Sequence, residues 1–154
     1  MEIGELRPLK DMAVKPGSVF RMRFYPQDGV VPKDVKDTSR DKYFVILGKN
    51  DDGNYVALSL INTEINENLK QRIGAFQYQI SSSDYEFLNG KDRFVDCYDM
   101  KEVASERIVE QGDYAGLISE ADLKSIIKLV NDSPIVSVAK LRRYGICVKG
   151  WDNR

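Results

Sequence analysis

At 154 residues the chain has the length of one ordinary domain, and its 42% apolar and 31% charged residues supply a core while excluding a membrane-embedded protein. Histidine is absent, which removes the commonest general base, the commonest transition-metal ligand and every Ser/His or Cys/His nucleophilic dyad. The formal charge of −1, from 23 basic and 24 acidic groups, gives no global positive field for nucleic acid, so such binding requires a local basic patch.

The first 17 residues read as an irregular arm that ends in the turn Lys15-Pro16-Gly17. They contain no apolar targeting stretch, and no run in the chain approaches the ~18 apolar residues of a membrane span, so a cytoplasmic protein with no membrane partner is expected. From Ser18 to Tyr25 the pattern is that of a half-buried strand, with Phe20, Met22 and Phe24 on one face and Arg21 and Arg23 on the other. Residues 26–41 are rich in charge, proline and glycine and have little to bury. They read as a long loop, either a binding element or a solvated connection.

Tyr43 to Leu47 and Tyr55 to Ile61 are continuous β-prone runs separated by the turn Asn50-Asp-Asp-Gly53, which predicts a hairpin buried on both sides. Further strands are predicted at 75–80 and 93–98, followed by a mixed stretch over 101–110. Strands of this length and spacing favour a barrel or sandwich. Ser119-Glu-Ala-Asp122 then resembles a helix-capping box, and Leu123, Ile126, Ile127 and Val130 recur at helical spacing. A second helix is predicted with Ser133 as N-cap, Pro134 at its first position and Gly145 at its close, ahead of a tail over 148–154. The domain proper therefore covers 18–147. Cys97 and Cys147, with no CxxC pair, read as small buried hydrophobes, with a disulfide as the alternative.

Three stretches in this order resemble the MazF/PemK/Kid toxin superfamily. Lys15-Pro-Gly-Ser-Val-Phe-Arg-Met-Arg-Phe-Tyr-Pro26 is similar to the family's opening strand and its phenylalanine, residue, proline ending. Lys42-Tyr-Phe-Val-Ile-Leu47 and Leu58-Ser-Leu-Ile-Asn-Thr63 are similar to the family's arginine-proline strand and its threonine-bearing strand end. Phe94-Val-Asp-Cys-Tyr-Asp99, Arg107-Ile108 and Gly116-Leu-Ile-Ser-Glu-Ala-Asp-Leu123 resemble its late strand and the start of its C-terminal helix. The resemblance spans about residues 15–130. It implies a mainly β fold with C-terminal helices, a small SH3-like β-barrel, usually a homodimer. It also implies a metal-independent endoribonuclease toxin that cleaves single-stranded RNA without a cofactor and is neutralised by an antitoxin protein.

The same resemblance places Lys42 where the family has its arginine, with Tyr43 in place of the proline and Arg40 two residues earlier. Metal-free cleavage needs a base for the 2′-hydroxyl and a cation for the charge developing on phosphorus. The implied catalytic set is Arg40, Lys42, Thr63 and Asp99, with Asp99 or Asp96 as the base and Arg40 or Lys42 as the stabilising cation, and with Asn62, Asp96 and Tyr98 holding substrate. No metal ligand is among them. Tyr25, Tyr43 and Tyr98 are candidates for base stacking, with core packing as the alternative. The competing reading is a non-catalytic barrel of the same type that binds protein or RNA. A third, known for the gyrase-poison relatives on this fold, is the poisoning of another protein.

Overall fold

Successive strand residues face opposite sides of a sheet, and here both sides are covered. A computed structural model describes residues 9–30, 39–64 and 73–148. Its strands are β1 (Ser18–Phe24), β2 (Arg40–Lys49), β3 (Tyr55–Asn62), β4 (Gln77–Ile80), β5 (Arg93–Asp96), β6 (Lys101–Ala104) and β7 (Asp113–Leu117). The helices are α1 (Ser105–Gln111), α2 (Glu120–Asp132) and α3 (Val138–Arg143). The described pairings are all antiparallel, in the order β4-β5-β3-β2-β1-β7, with β6 also on β3. The protein is thus mainly β, and its curled sheet fits a small β-barrel.

The long strand β3 organises the sheet. Its first half, Tyr55 to Leu58, pairs with β6, while its end, Ile61 and Asn62, pairs with β5. One face of β1–β3 carries Val19, Val45, Leu47, Ala57 and Ile61, packed under Ile126 and Val130 of α2, Leu141 of α3, and Tyr144 and Ile146 beyond it. The other carries Phe20, Met22, Phe24, Phe44, Ile46, Leu58 and Leu60, closed by Val103, Ile108 and Val109. Phe44 lies 6.2 Å from Phe20 and 5.6 Å from Phe24, ring centre to ring centre. Burial of one such side chain contributes roughly 1.5–3 kcal/mol, which is why the two uninterrupted apolar runs occupy the centre of the sheet.

The predicted hairpin is present. Gly53 N–H donates to Asn50 C=O and Asn50 N–H to Tyr55 C=O, closing the turn. At Gly48 the β2–β3 register shifts, and a Cβ there would lie 2.5 Å from the Tyr144 carbonyl oxygen, so only glycine lets the chain after α3 pass this close. Ser119 caps α2 by accepting from Asp122 N–H, as the sequence predicts; Ile126 and Val130 are fully buried, and Leu123 and Ile127 partly so.

Several expectations are corrected. Residues 9–13 are helical where an irregular arm is predicted, because buried Val14 anchors the turn and its N–H reaches Lys10 C=O. The expected 26–41 loop is shorter: Pro26–Asp28 forms a 3-10 turn and β2 already starts at Arg40, where Asp41 meets the exposed arginines of β1. Residues 31–38 of that loop lie outside the described residues, as do 1–8, 65–72 and the tail from 149. Ser133 ends α2 instead of opening the next helix. Its hydroxyl donates to Tyr98 C=O, and Ser137 caps α3 by accepting from Lys140 N–H. The 93–98 strand stops at Asp96, and the 75–80 strand begins at Gln77 after a 3-10 turn. The 101–110 stretch divides between β6 and α1. Strand β7, paired with β1, is absent from the sequence reading. Cys97 and Cys147 are both free thiols, Cys97 buried.

Candidate nucleic-acid interface

Residues directly opposite one another on neighbouring strands share a face. Arg21 of β1 lies opposite Tyr43 of β2, Tyr43 opposite Ile61 of β3, and Arg23 opposite Asp41. The uncovered end of this face opens as a cleft of about 300 Å³. Arg40 and Thr63 border it at the ends of β2 and β3, and Arg93 at the start of β5. Asn89 closes its rim from the turn after residues 86–88, in the left-handed conformation (φ 53°) that asparagine tolerates.

Tyr43 is the floor of the cleft. Its ring packs on Phe87, centre to centre 6.0 Å, and the guanidinium carbons of Arg21 and Arg93 lie 5.7 and 5.4 Å from its centre. Cations at that distance are drawn to the ring face. The Nε atom of Arg93 is buried and has no hydrogen-bond partner. A buried donor left unpaired carries a cost of about 1–3 kcal/mol. Asp41 is the carboxylate of the cleft. Its Oδ2 accepts from Arg21 at 3.2 Å and from Arg23 at 3.3 Å.

Of the residues singled out in the sequence, Arg40, Lys42 and Thr63 border this cleft. The side chain of Lys42 nevertheless leaves the opposite face of β2. It sits across from buried Met22, is only 6% exposed, and its ammonium donates to Asn62 Oδ1. Lys42 and Asn62 are therefore turned toward each other rather than toward a ligand above Tyr43.

Asp96, Tyr98 and Asp99 lie outside the cleft. Strand β5 pairs Val95 with Ile61, so only its first residue, Arg93, reaches the cleft, and the chain then runs away from it. Asp96 accepts from Gln77 Nε2 at 3.0 Å and from Tyr98 N–H at 2.9 Å. Burial pushes its carboxyl above the ordinary value, against those two bonds. Tyr98 packs on Phe76, and Asp99 pairs with Lys101 at 2.7 Å. The expected convergence of late-strand carboxylates with Arg40, Lys42, Asn62 and Thr63 is not formed.

Below β1, Arg107 of α1 grips Asp28 with both terminal nitrogens, at 2.8 and 2.9 Å, and donates to Arg23 C=O at 3.0 Å. The guanidinium holds the Asp28 carboxyl below its ordinary value, against the burial that raises it. This fixes the turn that follows the arginine strand. Among the cleft residues, Arg21 was visible in sequence as part of the exposed alternation of β1. Arg93 carried no signal of its own, since only the pairing of β5 with the end of β3 brings it to Tyr43.

Among the described residues no helix is long and apolar enough to cross a membrane, and no group of three or more Cys, Asp or Glu side chains is placed to hold a metal ion. No protein-family model matches the chain, and a search of curated proteins finds none similar to it.

Proposed function

We propose that this protein is a small β-barrel of the MazF/PemK-like type that binds single-stranded RNA across the Tyr43 cleft. The observation that carries the reading is the pair Arg21 and Arg93, whose guanidinium carbons lie 5.7 and 5.4 Å from the centre of the Tyr43 ring in the cleft. Single-stranded nucleic acid is held by cations that follow its backbone and by flat groups on which bases stack. Guanidinium groups over a tyrosine ring supply both. With no global positive charge on the chain, the attraction is local to this cleft.

A second reading, metal-independent cleavage of the bound RNA, is favoured by Thr63, at a position the resemblance marks, and by Arg40, two residues before the place of the family's arginine, both bordering the same cleft. In that step the 2′-hydroxyl gives its proton to a base and its oxygen bonds to phosphorus. The P–O5′ bond then breaks, leaving a 2′,3′-cyclic phosphate, and O5′ takes a proton from water. Asp41 is the carboxylate of this cleft and the base under that reading, with Arg40 stabilising the phosphorane. The role requires Asp41 to leave Arg21 and Arg23. A cytoplasmic toxin with an antitoxin partner, working as a homodimer, belongs to this second reading.

Fluorescence anisotropy with a labelled 12-residue oligouridylate tests binding. Saturable binding that weakens with salt, and weakens further in Arg93→Gln, is expected. Absence of binding at low salt overturns the proposal. Gel analysis of the same oligonucleotide after incubation separates the two readings.

A further inference from the structure

Arg21 and Arg23 stand two residues apart on the exposed face of β1, about 6.8 Å along a strand that rises roughly 3.4 Å per residue. One oxygen of Asp41 bridges them, at 3.2 and 3.3 Å. Arg23 also donates to Ser39 Oγ at 2.6 Å. Both arginine side chains are half exposed, at 51% and 53%, and Asp41 is 38% exposed. Arg21 belongs at once to this pair and to the Tyr43 cleft, so the positive surface continues from Arg93 over Tyr43 to Arg21 and on to Arg23.

We infer that Arg21 and Arg23 form a phosphodiester subsite whose resident anion is Asp41, displaced when a nucleic-acid backbone extends from the cleft. This rests on the RNA-binding reading and deepens it. Phosphate oxygen and carboxylate oxygen present the same charge and the same acceptors to a guanidinium fork. Exposed ion pairs contribute only about 0–1 kcal/mol each, so releasing Asp41 costs little. A phosphate tethered to neighbours already held at Arg93 and Tyr43 competes with Asp41 at high effective concentration, as a free anion does not. Asp41 therefore acts as a gate that suppresses binding of single free anions and yields to a polymer.

The test is Asp41→Asn, which keeps the shape and removes the charge, with Asp41→Ser as a second variant. Affinity for the labelled 12-residue oligouridylate should rise roughly threefold to tenfold, the scale of one or two lost surface pairs. That gain should vanish when Arg21→Gln and Arg23→Gln are added. In parallel, inorganic pyrophosphate should raise the melting temperature of Asp41→Asn more than that of the wild type, again only with both arginines present. Wild-type binding of RNA with unchanged or weaker binding by Asp41→Asn overturns the subsite and leaves the RNA reading standing. A pyrophosphate response in Asp41→Asn with no RNA binding by any variant keeps the anion subsite and overturns the RNA reading. If Asp41→Asn differs from wild type with neither probe, the subsite is overturned.

Discussion

The ammonium of Lys42 donates to the side-chain oxygen of Asn62 on the face of the sheet opposite to Tyr43. Both residues are therefore structural partners. Asn62→Leu should lower stability by about 1–3 kcal/mol, because a buried donor loses an acceptor. Lys42→Met should leave the RNA dissociation constant unchanged, whereas Arg93→Gln should raise it. Chemical denaturation and anisotropy on the same variants check both halves. Loss of RNA affinity in Lys42→Met alone would place the ligand on the other face.

How far the sequence could be read follows from which forces are local. The alternation of β1 depends only on the period of a strand, so the exposure of Arg21 and Arg23 and the burial of Phe20 and Phe24 are legible at once. The capped helix α2 is legible for the same reason, since Ser119 and the spacing of Ile126 and Val130 lie within one element. Pairing between distant strands is not local. Lys42 and Asn62 read as site residues from their place in the resembling motifs, which does not say which face they leave; the register of β2 on β1 and β3 turns them away from Tyr43. Likewise Asp96 and Asp99 share a short stretch with Arg93, yet the antiparallel pairing of β5 with β3 brings only Arg93 to the cleft. Strand β7, Asp-Tyr-Ala-Gly-Leu, is short and polar at its start, and its strand character comes from pairing with β1 rather than from its own composition.

Packing of α2 gives a graded prediction. Ile126 is fully buried against the sheet, while its neighbour Ile127 is only partly covered. Ile126→Ala should cost about 2–5 kcal/mol, and Ile127→Ala distinctly less, since part of its surface already meets water. Urea unfolding of the two variants measures the difference. Equal losses would mean that α2 is rotated on the sheet.

The Asp28–Arg107 pair sets a pH response. The hydrogen bonds from Arg107 depress the Asp28 carboxyl in the folded protein, so folding is favoured while Asp28 is ionised. That stabilisation is present above the unfolded value, about 3.9 for aspartate, and is lost as pH falls through the lower folded value. Wild type should therefore lose melting temperature on acidification below about pH 4 more steeply than Asp28→Asn. At neutral pH Arg107→Gln should cost about 1.5–3 kcal/mol, the range for hydrogen bonds to charged groups. Parallel acid titrations for wild type and Asp28→Asn would show the pair to be idle.

Cleavage, the second functional reading, depends on groups that differ from those of binding. Under the RNA-binding proposal Arg93 and Arg21 hold the strand, while Arg40 and Thr63 border the same cleft. If the strand is cut, Arg40→Ala should slow single-turnover cleavage by about 10²–10³-fold, the scale of one lost transition-state donor. Its effect on the dissociation constant should be much smaller, because a group acting on the phosphorane is felt in the transition state rather than in the bound ground state. Asp41→Asn should also lose cleavage but, unlike Arg40→Ala, should change binding. On the proposed reading it frees Arg21 and Arg23 for backbone phosphates and should tighten binding, while removing the carboxylate that would take the 2′-hydroxyl proton. Wild-type cleavage that persists in EDTA, together with tighter binding and abolished cleavage in Asp41→Asn, would assign Asp41 both roles. Wild-type binding without any product in the gel leaves the barrel as a non-catalytic RNA-binding module, in which Asp41 only gates the arginines.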